Sequence, residues 1–334
     1  MQAAVCVGGV IELREWPEPT PGPGELVLRV AGCGLCGSDI LKINAGAPEP
    51  LVLGHEVVGQ VAAIGPGVRR FVPGDRIVVA HHVPCFHCHY CRRGSSSMCR
   101  HFKRVNLDPG GFAERVRVPA PNVEHAAFRI PAEMTEEAAS FTEPLACCLR
   151  AVKRSRLVAG DTALVVGLGS IGCLLVQLLA LHGARVFAAD VLESRRALGR
   201  HAGAEVLDTD TALAAAVHDA TEGRGADLVI VTAGGTAVLP AAASLVRDGG
   251  TLHYFAGGAG DHLPLPLAAL YHRELTLTAT YSSSPADLAE AFDLLRRGRV
   301  RVEGLISHRL PLGRLGEGVD LMRRHEAVKV YVTP

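Results

Sequence analysis

The sequence predicts an α/β protein of two domains, one irregular and mostly β and the other a doubly wound parallel sheet. Its 334 residues suffice for about two domains that each bury a core. Short β-branched runs broken by glycine and proline fill the chain up to about residue 129. From about residue 161, apolar strand patterns alternate with helical patterns, which favours parallel strands joined by helices.

The composition is that of a folded protein with balanced charge. Hydrophobic residues make up 48% of the chain and charged residues 20%, which argues against disorder. Lysine plus arginine total 34, as do aspartate plus glutamate, so the formal net charge is zero. This balance removes the main electrostatic argument for a nucleic-acid or membrane-surface partner, and we expect neither.

The N-terminal segment predicts a first strand and not a signal peptide. It reaches Glu12 and Arg14 after a short apolar run and lacks a basic region followed by a long apolar one. No run reaches the roughly 18 apolar residues of a membrane span, since 171–180 is short and contains Gln177. We therefore expect a cytoplasmic protein whose ten cysteines serve a purpose other than disulfides.

The elements of the first domain follow from strand, turn and capping signals. Strands are predicted in 25–34 and 57–65, and a turn leads into a strand in 72–79. The segment 135–152 predicts a helix, with Thr135 as N-cap and acidic residues in the first turn.

The second domain is predicted to alternate strands with helices. Strands are predicted in 162–169, 184–190, 204–209, 226–235, 251–257 and 275–280. Helices are predicted in 170–183 and 193–203. After residue 284, a helix in 285–300 is followed by strand and helix patterns that have room to pack back on the first domain.

Four closely spaced cysteines form the sharpest chemical signal: Cys85, Cys88, Cys91 and Cys99. Two successive Cys-x-x-Cys steps bring three thiolates together, and the fourth follows eight residues later. Zinc takes such tetrahedral sulfur sets, and four protein ligands leave no open position on the ion. Iron–sulfur ligation is the rival interpretation, and four free cysteines are the least expected one.

Histidines and cations crowd the same lobe. Four histidines are expected to be solvated on the surface and not to bind metal: His82, His87, His89 and His101. Five cations form a local basic patch: Arg92, Arg93, Arg100, Lys103 and Arg104. We expect this patch to be a solvated face, and a site for an anionic substrate is the alternative.

A second, dispersed set of metal-ligand residue types comprises Cys36, His55, Glu56 and Glu143. A thiolate, an imidazole and a carboxylate that leave one exchangeable position are what a catalytic zinc requires. Spacing alone does not establish the set, because each residue by itself is commoner as a buried thiol, a capped histidine or a surface acid.

A glycine-rich motif follows the strand predicted in 162–169 and opens the next helix, which is the context that a dinucleotide site requires. Its candidate cofactor-binding residues are Gly167, Gly169, Ser170, Ile171 and Gly172. The glycines allow a tight turn and a close approach to a pyrophosphate at the helix N-terminus. Asp190 ends the following strand, where a carboxylate can bind the ribose hydroxyls of adenosine.

The order of these motifs resembles that of the zinc-dependent medium-chain dehydrogenases/reductases, the alcohol dehydrogenase superfamily. Within it, the chain resembles the polyol (sorbitol-type) and threonine dehydrogenase branch, to which Glu143-Pro144-Leu145 points. The matching segments run nearly from end to end: GCGLCGSD, GHEVVGQVAAIGPGVRRFVPGDRI, the four-cysteine lobe, GGFAERV, EPLA, and GLGSIG with Asp190.

The resemblance implies a domain organisation and two zinc ions per chain. A GroES-like catalytic domain would comprise residues 1–143 and 284–334, with a structural zinc lobe at 85–99. A Rossmann domain that binds NAD would comprise residues 144–283. The catalytic zinc would lie on Cys36, His55 and Glu143, and Glu56 would exchange onto it or lie just behind its ligands.

Further roles are implied residue by residue. Ser38 matches the hydroxyl that contacts the reacting alcohol, and Asp39 matches the acid that orients the ligand histidine. Leu41 stands where the family often has a histidine that passes the proton to solvent, so the proton route beyond Ser38 must differ. Arg195 is expected to contact the adenosine, whereas Arg196 is expected to be solvated.

The implied reaction is the zinc-dependent oxidation of a secondary alcohol, a polyol or sugar alcohol, to a ketone with hydride transfer to NAD. The open alternatives are an amino alcohol such as threonine, a phosphorylated polyol met by the arginine-rich lobe, and a zinc- and nucleotide-binding sensor without activity. The set Cys36, His55 and Glu143 disfavours a zinc-free reductase of the quinone-reductase type.

A terminal strand of the second domain predicts self-association. The apolar segment 273–282 would leave an unprotected sheet edge, which invites pairing with a second copy. The resemblance implies homodimers or homotetramers, and we expect the contact near Leu275 to Tyr281.

Overall fold

The computed structural model describes residues 1–46, 48–207, 213–233, 235–257, 262, 265 and 267–334. The chain divides into two compact units, one formed by Met1–Ala146 with Ser282–Pro334 and the other by Cys147–Tyr281. In the described part of the chain, none of the helices combines the length and apolar character that crossing a lipid bilayer requires.

Short strands dominate the beginning of the chain, and strands alternate with helices through most of the remainder. The strands are β1 Gln2–Val7, β2 Val10–Glu15, β3 Leu26–Leu35, β4 Leu51–Val52, β5 Glu56–Ile64, β6 Arg76–Val79, β7 Arg115–Val118, β8 Ala127–Arg129, β9 Thr162–Val166, β10 Arg185–Ala189, β11 Glu205–Val206, β12 Ala226–Val231, β13 Val246–Tyr254, β14 Thr276–Ala279, β15 His308–Pro311 and β16 Val330–Thr333. The α-helices are α1 Gly37–Ala45, α2 His89–Arg92, α3 Ala120–His125, α4 Glu136–Ser140, α5 Thr142–Arg154, α6 Ser170–Leu181, α7 Glu193–His201, α8 Leu213–Ala220, α9 Leu239–Ser244, α10 Leu267–His272, α11 Pro285–Arg296 and α12 Leu315–Arg323.

The first unit is mostly β, as the sequence predicts. Its main sheet runs β15-β16-β3-β5-β6-β8, with β7 beside β3, and a smaller sheet runs β2-β1-β4. The long strand β3 pairs antiparallel with both β5 and β16, so that Gly34 lies opposite Glu56 on one side and Tyr331 on the other. The end of β3 therefore meets the beginning of β5 and the C-terminal strand β16.

The second unit is a single parallel sheet with the strand order β11-β10-β9-β12-β13-β14. Relative to chain order within the unit this is 3-2-1-4-5-6, the order of a Rossmann domain, in which the first strand leads into the phosphate-binding turn. The predicted doubly wound parallel sheet is confirmed. Strand β14 lies at one edge, where the sequence predicts a terminal strand.

Two element predictions need adjustment. The helix predicted in 135–152 begins as expected, with Thr135 Oγ1 accepting a hydrogen bond of 3.1 Å from the Ala138 amide, but it is interrupted at Phe141. Pro144 has no N–H to donate to the Ser140 carbonyl, so one continuous helix cannot form there. Of the strand predicted in 204–209, the structure shows β11, Glu205–Val206. Residues 208 and 209 lie outside the described part of the chain.

Candidate active site

The sulfur atoms of the four-cysteine lobe are spaced as ligands of one metal ion. Sγ–Sγ distances are 3.4 Å between Cys88 and Cys91, 3.6 Å between Cys85 and Cys99, and 3.9 Å between Cys85 and Cys91. Four sulfurs about 2.3 Å from a central zinc lie about 3.8 Å apart along the tetrahedron edges. Disulfide sulfurs would lie about 2.05 Å apart, and thiolates on different irons of a cluster would lie further apart. The lobe therefore fits a single tetrahedral zinc.

The local backbone of the lobe helps to hold the four cysteines at this sulfur–sulfur spacing. Phe86, in the first Cys-x-x-Cys step, has a positive φ of 64°, and Cys88 caps the short helix α2. The Phe86 ring lies 4.6 Å from the ring of His125, which joins the lobe to α3.

A second cluster forms where β3 ends and β5 begins. One ligand atom each from Cys36, His55 and Glu56 lie within 4.8 Å of one another. Cys36 follows β3 directly and caps α1, and its Sγ accepts a hydrogen bond of 3.5 Å from the Ser38 amide. His55 and Glu56 enter the cluster because the antiparallel register brings the start of β5 to the end of β3.

The buried carboxylate of Asp39 orients this cluster. Its Oδ2 accepts a hydrogen bond of 3.1 Å from the Cys36 amide, and its Oδ1 lies 3.3 Å from His55 Nδ1. Burial alone would lower the pKa of His55, but the charge and hydrogen bond of Asp39 outweigh it and raise that pKa. With Nδ1 held by a carboxylate, His55 has Nε2 available for a metal, which is how metal-binding histidines are commonly oriented.

Lys329 completes the cluster, and sequence reasoning misses it. Its side chain is buried beside β3, and Nζ donates a hydrogen bond of 2.6 Å to Glu56 Oε1. Burial opposes the charge, but Glu56 first, then Cys36 and Glu143, raise the pKa of Lys329. The sequence feature that could have revealed Lys329 is a lysine inside the apolar strand pattern VKVYV, because buried lysines are rare unless they are paired.

Glu143, the other candidate acid, is not part of the group of three ligand atoms formed by Cys36, His55 and Glu56. It is buried in the first turn of α5, with 6% of its surface exposed. The charge of Glu143 is the smallest of the causes that raise the pKa of Lys329. The structure thus brings Cys36, His55 and Glu56 together in a group that does not include Glu143.

Replacing Lys329 by methionine is expected to destabilise the protein by about 3–5 kcal/mol, because the Glu56 carboxylate would be buried without its partner. Urea unfolding measures this loss. The double variant Lys329→Met with Glu56→Gln should recover part of it, and Lys329→Arg should lose least because it keeps the charge. Equal stability of Lys329→Met and wild type would show that the ion pair is dispensable.

A series of aromatic rings extends from the cluster toward the lobe. Ring centroids lie 4.7 Å apart for His55 and His81, 3.7 Å for His81 and His82, and 4.9 Å for His82 and Phe102. His82 Nδ1 lies 2.6 Å from the Val105 carbonyl oxygen, and burial lowers the pKa of His82 to about 4. The prediction that His82 is a solvated surface histidine is wrong, because Phe102 and His81 pack around it. No sequence motif points to His81.

In the second unit, the glycine-rich turn has the shape of a phosphate cradle. A Cβ at Gly167 would come within 2.5 Å of Thr232 Oγ1, and one at Gly172 would collide with the Gly167 carbonyl oxygen. At Gly169, which caps α6, a Cβ would meet nothing within 4 Å. The turn is thus closely packed on its inner side and open at Gly169, with Ser170 and Ile171 opening the helix, which fits a dinucleotide pyrophosphate.

Asp190 lies next to this turn and supports it. Its Oδ2 accepts a hydrogen bond of 2.7 Å from the Leu168 amide, and its Oδ1 accepts one of 2.9 Å from the Leu192 amide. Each carboxylate oxygen has two lone pairs, so each retains one for a ribose hydroxyl. Asp190 therefore shapes the turn in addition to the role predicted for it.

Two arginines follow Asp190 on α7. Burial and the charge of Asp190 raise the pKa of Cys173 to about 12, while the charge of Arg195 acts in the opposite direction. The prediction that Arg196 is solvated is wrong, since its side chain is only 18% exposed. Its Nε donates to Glu193 at 2.7 Å, and its Nη1 donates to the Asp190 carbonyl at 3.0 Å. Glu193 lies three residues earlier, on the same face of the helix.

Comparison with known proteins identifies the family. The model of the alcohol dehydrogenase GroES-like domain matches residues 22–130, and that of the zinc-binding dehydrogenase matches residues 170–297. An L-threonine 3-dehydrogenase of Bacillus velezensis is 31% identical over 96% of this chain and 95% of its own length. The chain belongs to the zinc-containing medium-chain alcohol dehydrogenase superfamily.

Other members of this superfamily are similarly close to the chain. A sorbitol dehydrogenase of Halalkalibacterium halodurans is 29% identical over 98% of this chain and 96% of its own length. A solved zinc-binding dehydrogenase of Sinorhizobium meliloti 1021, bound to NADP, is 31% identical, with a TM-score of 0.88 over 100% of this chain and 99% of that one. This alcohol dehydrogenase homologue is therefore a zinc-dependent NAD(P) dehydrogenase of alcohols or polyols, which confirms the predicted family and enzyme class.

Proposed function

We propose that the protein oxidises a secondary hydroxyl of a polyol or sugar alcohol to a ketone and transfers the hydride to NAD. The cluster of Cys36, His55 and Glu56 beside Ser38 carries this proposal. One thiolate, one imidazole and one carboxylate suit a zinc that keeps an exchangeable position for substrate. A polyol is favoured because one similar protein is a sorbitol dehydrogenase.

The proposed mechanism assigns a task to each residue of the cluster. Zinc held by Cys36, His55 and an acid, Glu56 or Glu143, would supply the Lewis acidity that eases loss of the hydroxyl proton, and NAD would accept the hydride. Ser38 takes the hydroxyl proton and passes it on. Leu41 has no proton acceptor, so the proton would leave Ser38 through water and the ribose hydroxyls of a bound cofactor, or through another side chain.

The supporting residues hold the reacting groups in place. Asp39 fixes the ring of the ligand histidine, and Lys329 holds the Glu56 carboxylate by an ion pair and a hydrogen bond. We propose that residues 1–143 and 284–334 form the catalytic domain and that residues 144–283 form the NAD-binding domain.

A screen of alcohols that follows NADH absorbance tests the proposal. The panel would contain sorbitol, xylitol, a pentitol phosphate, an aldonate and L-threonine, each with zinc-loaded and zinc-depleted protein. We expect turnover by the zinc-loaded protein only, with a polyol-type substrate fastest. Fastest turnover of L-threonine, or no turnover at all, would contradict the proposal.

We expect NAD to be preferred over NADP, and Asp190→Ala to reduce that preference about tenfold or more. The carboxylate can accept hydrogen bonds from ribose hydroxyls, whereas a 2′-phosphate would bring a second negative charge to it. The ratio of kcat/KM for the two cofactors measures the effect.

The matched control for this variant is Arg196→Gln, which leaves the Asp190 carboxylate in place. Thermal melting of both variants separates cofactor choice from loss of the turn that Asp190 supports. A wild type that prefers NADP, or an unchanged ratio in Asp190→Ala, would refute the assignment.

We also propose that the protein forms a homodimer or homotetramer through β14. The strand lies at the sheet edge, and on the neighbouring helix α10 both Leu267 and Tyr271 are 79% exposed. Pairing of two edges would satisfy the free backbone groups and cover these side chains. Light scattering at micromolar concentration should give the mass of a dimer or tetramer, and a monomeric mass would refute the proposal.

A further inference from the structure

The Glu56 carboxylate is buried between a lysine and the cluster of metal-ligand atoms. Glu56 is 1% exposed and Lys329 is 4% exposed, so water screens neither charge. Lys329 Nζ donates a hydrogen bond of 2.6 Å to Oε1 and forms an ion pair with Oε2, which accepts no hydrogen bond from any residue that the structure describes. One oxygen of this carboxylate lies within 4.8 Å of the ligand atoms of Cys36 and His55. A single carboxylate therefore faces two cation positions, the ammonium group and the metal position.

The lysine side chain is held in place by two neighbours. A Cβ at Gly34 would come within 2.9 Å of Lys329 Cε, so the lysine chain lies directly on the backbone of β3. Lys329 Nζ lies 5.9 Å from the centre of the buried Phe141 ring, within the range of a cation–π contact. The same Cβ at Gly34 would collide with Glu56 Oε2. The strand thus packs the amine and the carboxylate against each other at one glycine.

The ammonium group and a bound metal ion would compete for the lone pairs of this carboxylate. A buried carboxylate is strongly disfavoured without a partner of opposite charge. While Lys329 is present, Glu56 has such a partner whether or not it binds the metal. Without the lysine, the metal ion would be its only counter-charge, and the carboxylate would stay on the metal.

We propose that Lys329 is a positioning residue that weakens the bond between Glu56 and the zinc, so that this carboxylate leaves the metal readily when substrate arrives. The inference rests on the proposed function, in which the zinc keeps an exchangeable position for the substrate hydroxyl. Lys329 acts through Glu56, because it receives the carboxylate each time the carboxylate leaves the metal.

The test measures how fast an excess of chelator removes the catalytic zinc, which is the ion that Cys36→Ser is expected to lose. Lys329→Met should release this ion at least about tenfold more slowly than wild type. Its kcat should fall about tenfold with little change in the KM for NAD, because Glu56 would occupy the position that substrate needs. Lys329→Arg keeps the charge and should return both values toward those of wild type. Zinc should also protect Lys329→Met from urea more than it protects wild type.

The double variant Lys329→Met with Glu56→Gln separates an action through Glu56 from a general effect of the lysine charge. Adding Lys329→Met to Glu56→Gln should leave the rate of zinc release unchanged. Tyr331→Phe is the matched control, because Tyr331 is a buried residue two positions later in β16, and it should change neither zinc release nor kcat. Lys329→Gln is neutral and keeps a hydrogen-bond donor, so it replaces Lys329→Met if methionine prevents folding.

Zinc release at the wild-type rate or faster in Lys329→Met overturns the inference, as does a slower release that persists beside Glu56→Gln. Because zinc release is measured without substrate, this result does not depend on the proposed function. Slower release in a protein that turns over none of the alcohols would refute the proposed function and support the role of Lys329. Turnover of a polyol with unchanged release would do the reverse, and a wild type with one zinc per chain would refute both.

Discussion

Replacing Cys36 by serine is expected to lower kcat/KM at least about a thousandfold while the fold stays intact. The thiolate is one of the three ligand atoms in the cluster, and the Lewis acidity that depends on them is worth several kcal/mol. Serine is itself a favoured helix N-cap, so α1 should still begin at the same place. Turnover, thermal melting and zinc content together measure this outcome.

The control for this variant is Cys6→Ala, in the buried part of β1 and away from both metal clusters. It should lose some stability and keep both zincs and its kcat/KM. Zinc content should fall from two ions per chain to one in Cys36→Ser and stay at two in Cys6→Ala. Near-normal activity of Cys36→Ser would remove Cys36 from the catalytic site.

Replacing Cys99 by serine is expected to cost about 3–5 kcal/mol of stability, with activity retained in the protein that remains folded. Cys99 is 1% exposed, its Sγ lies 3.6 Å from that of Cys85, and it accepts from the Cys85 amide. A closed metal site contributes folding free energy, because the unfolded chain does not hold the four thiolates together. Urea unfolding and metal analysis measure the effect.

The Cys36→Ser variant should therefore be inactive and stable, whereas the Cys99→Ser variant should be active and less stable. Loss of activity without loss of stability in Cys99→Ser would contradict the structural assignment. Wild-type protein that contains iron or no zinc would contradict both assignments.

The features predicted from the sequence are those that neighbouring residues determine. The lobe needs only the spacing from Cys85 to Cys99, and the glycine turn needs only a strand before Gly167 and a helix after it. The parallel sheet follows from alternating strand and helix patterns because each strand–helix unit repeats the same connection.

The contacts that the sequence did not reveal depend on long-range pairing. Lys329 and Glu56 are 273 residues apart in the chain, and they meet because β16 and β5 lie on opposite sides of β3. His81 is placed beside His55 by tertiary packing as well. No local sequence pattern specifies either contact. For Lys329, the one sequence feature that points to it is a charged residue inside an apolar strand.

The buried pair of Glu56 and Lys329 also constrains how this enzyme can change over generations. A mutation that neutralises either residue alone leaves the other charged in the protein interior, so a lineage that exchanges both must pass through a less stable ancestor. Gly34 tightens the constraint, because any side chain there would collide with the Glu56 carboxylate and come within 2.9 Å of Lys329 Cε. Descendants of this protein should therefore keep Gly34, Glu56 and Lys329 together, or replace all three residues together.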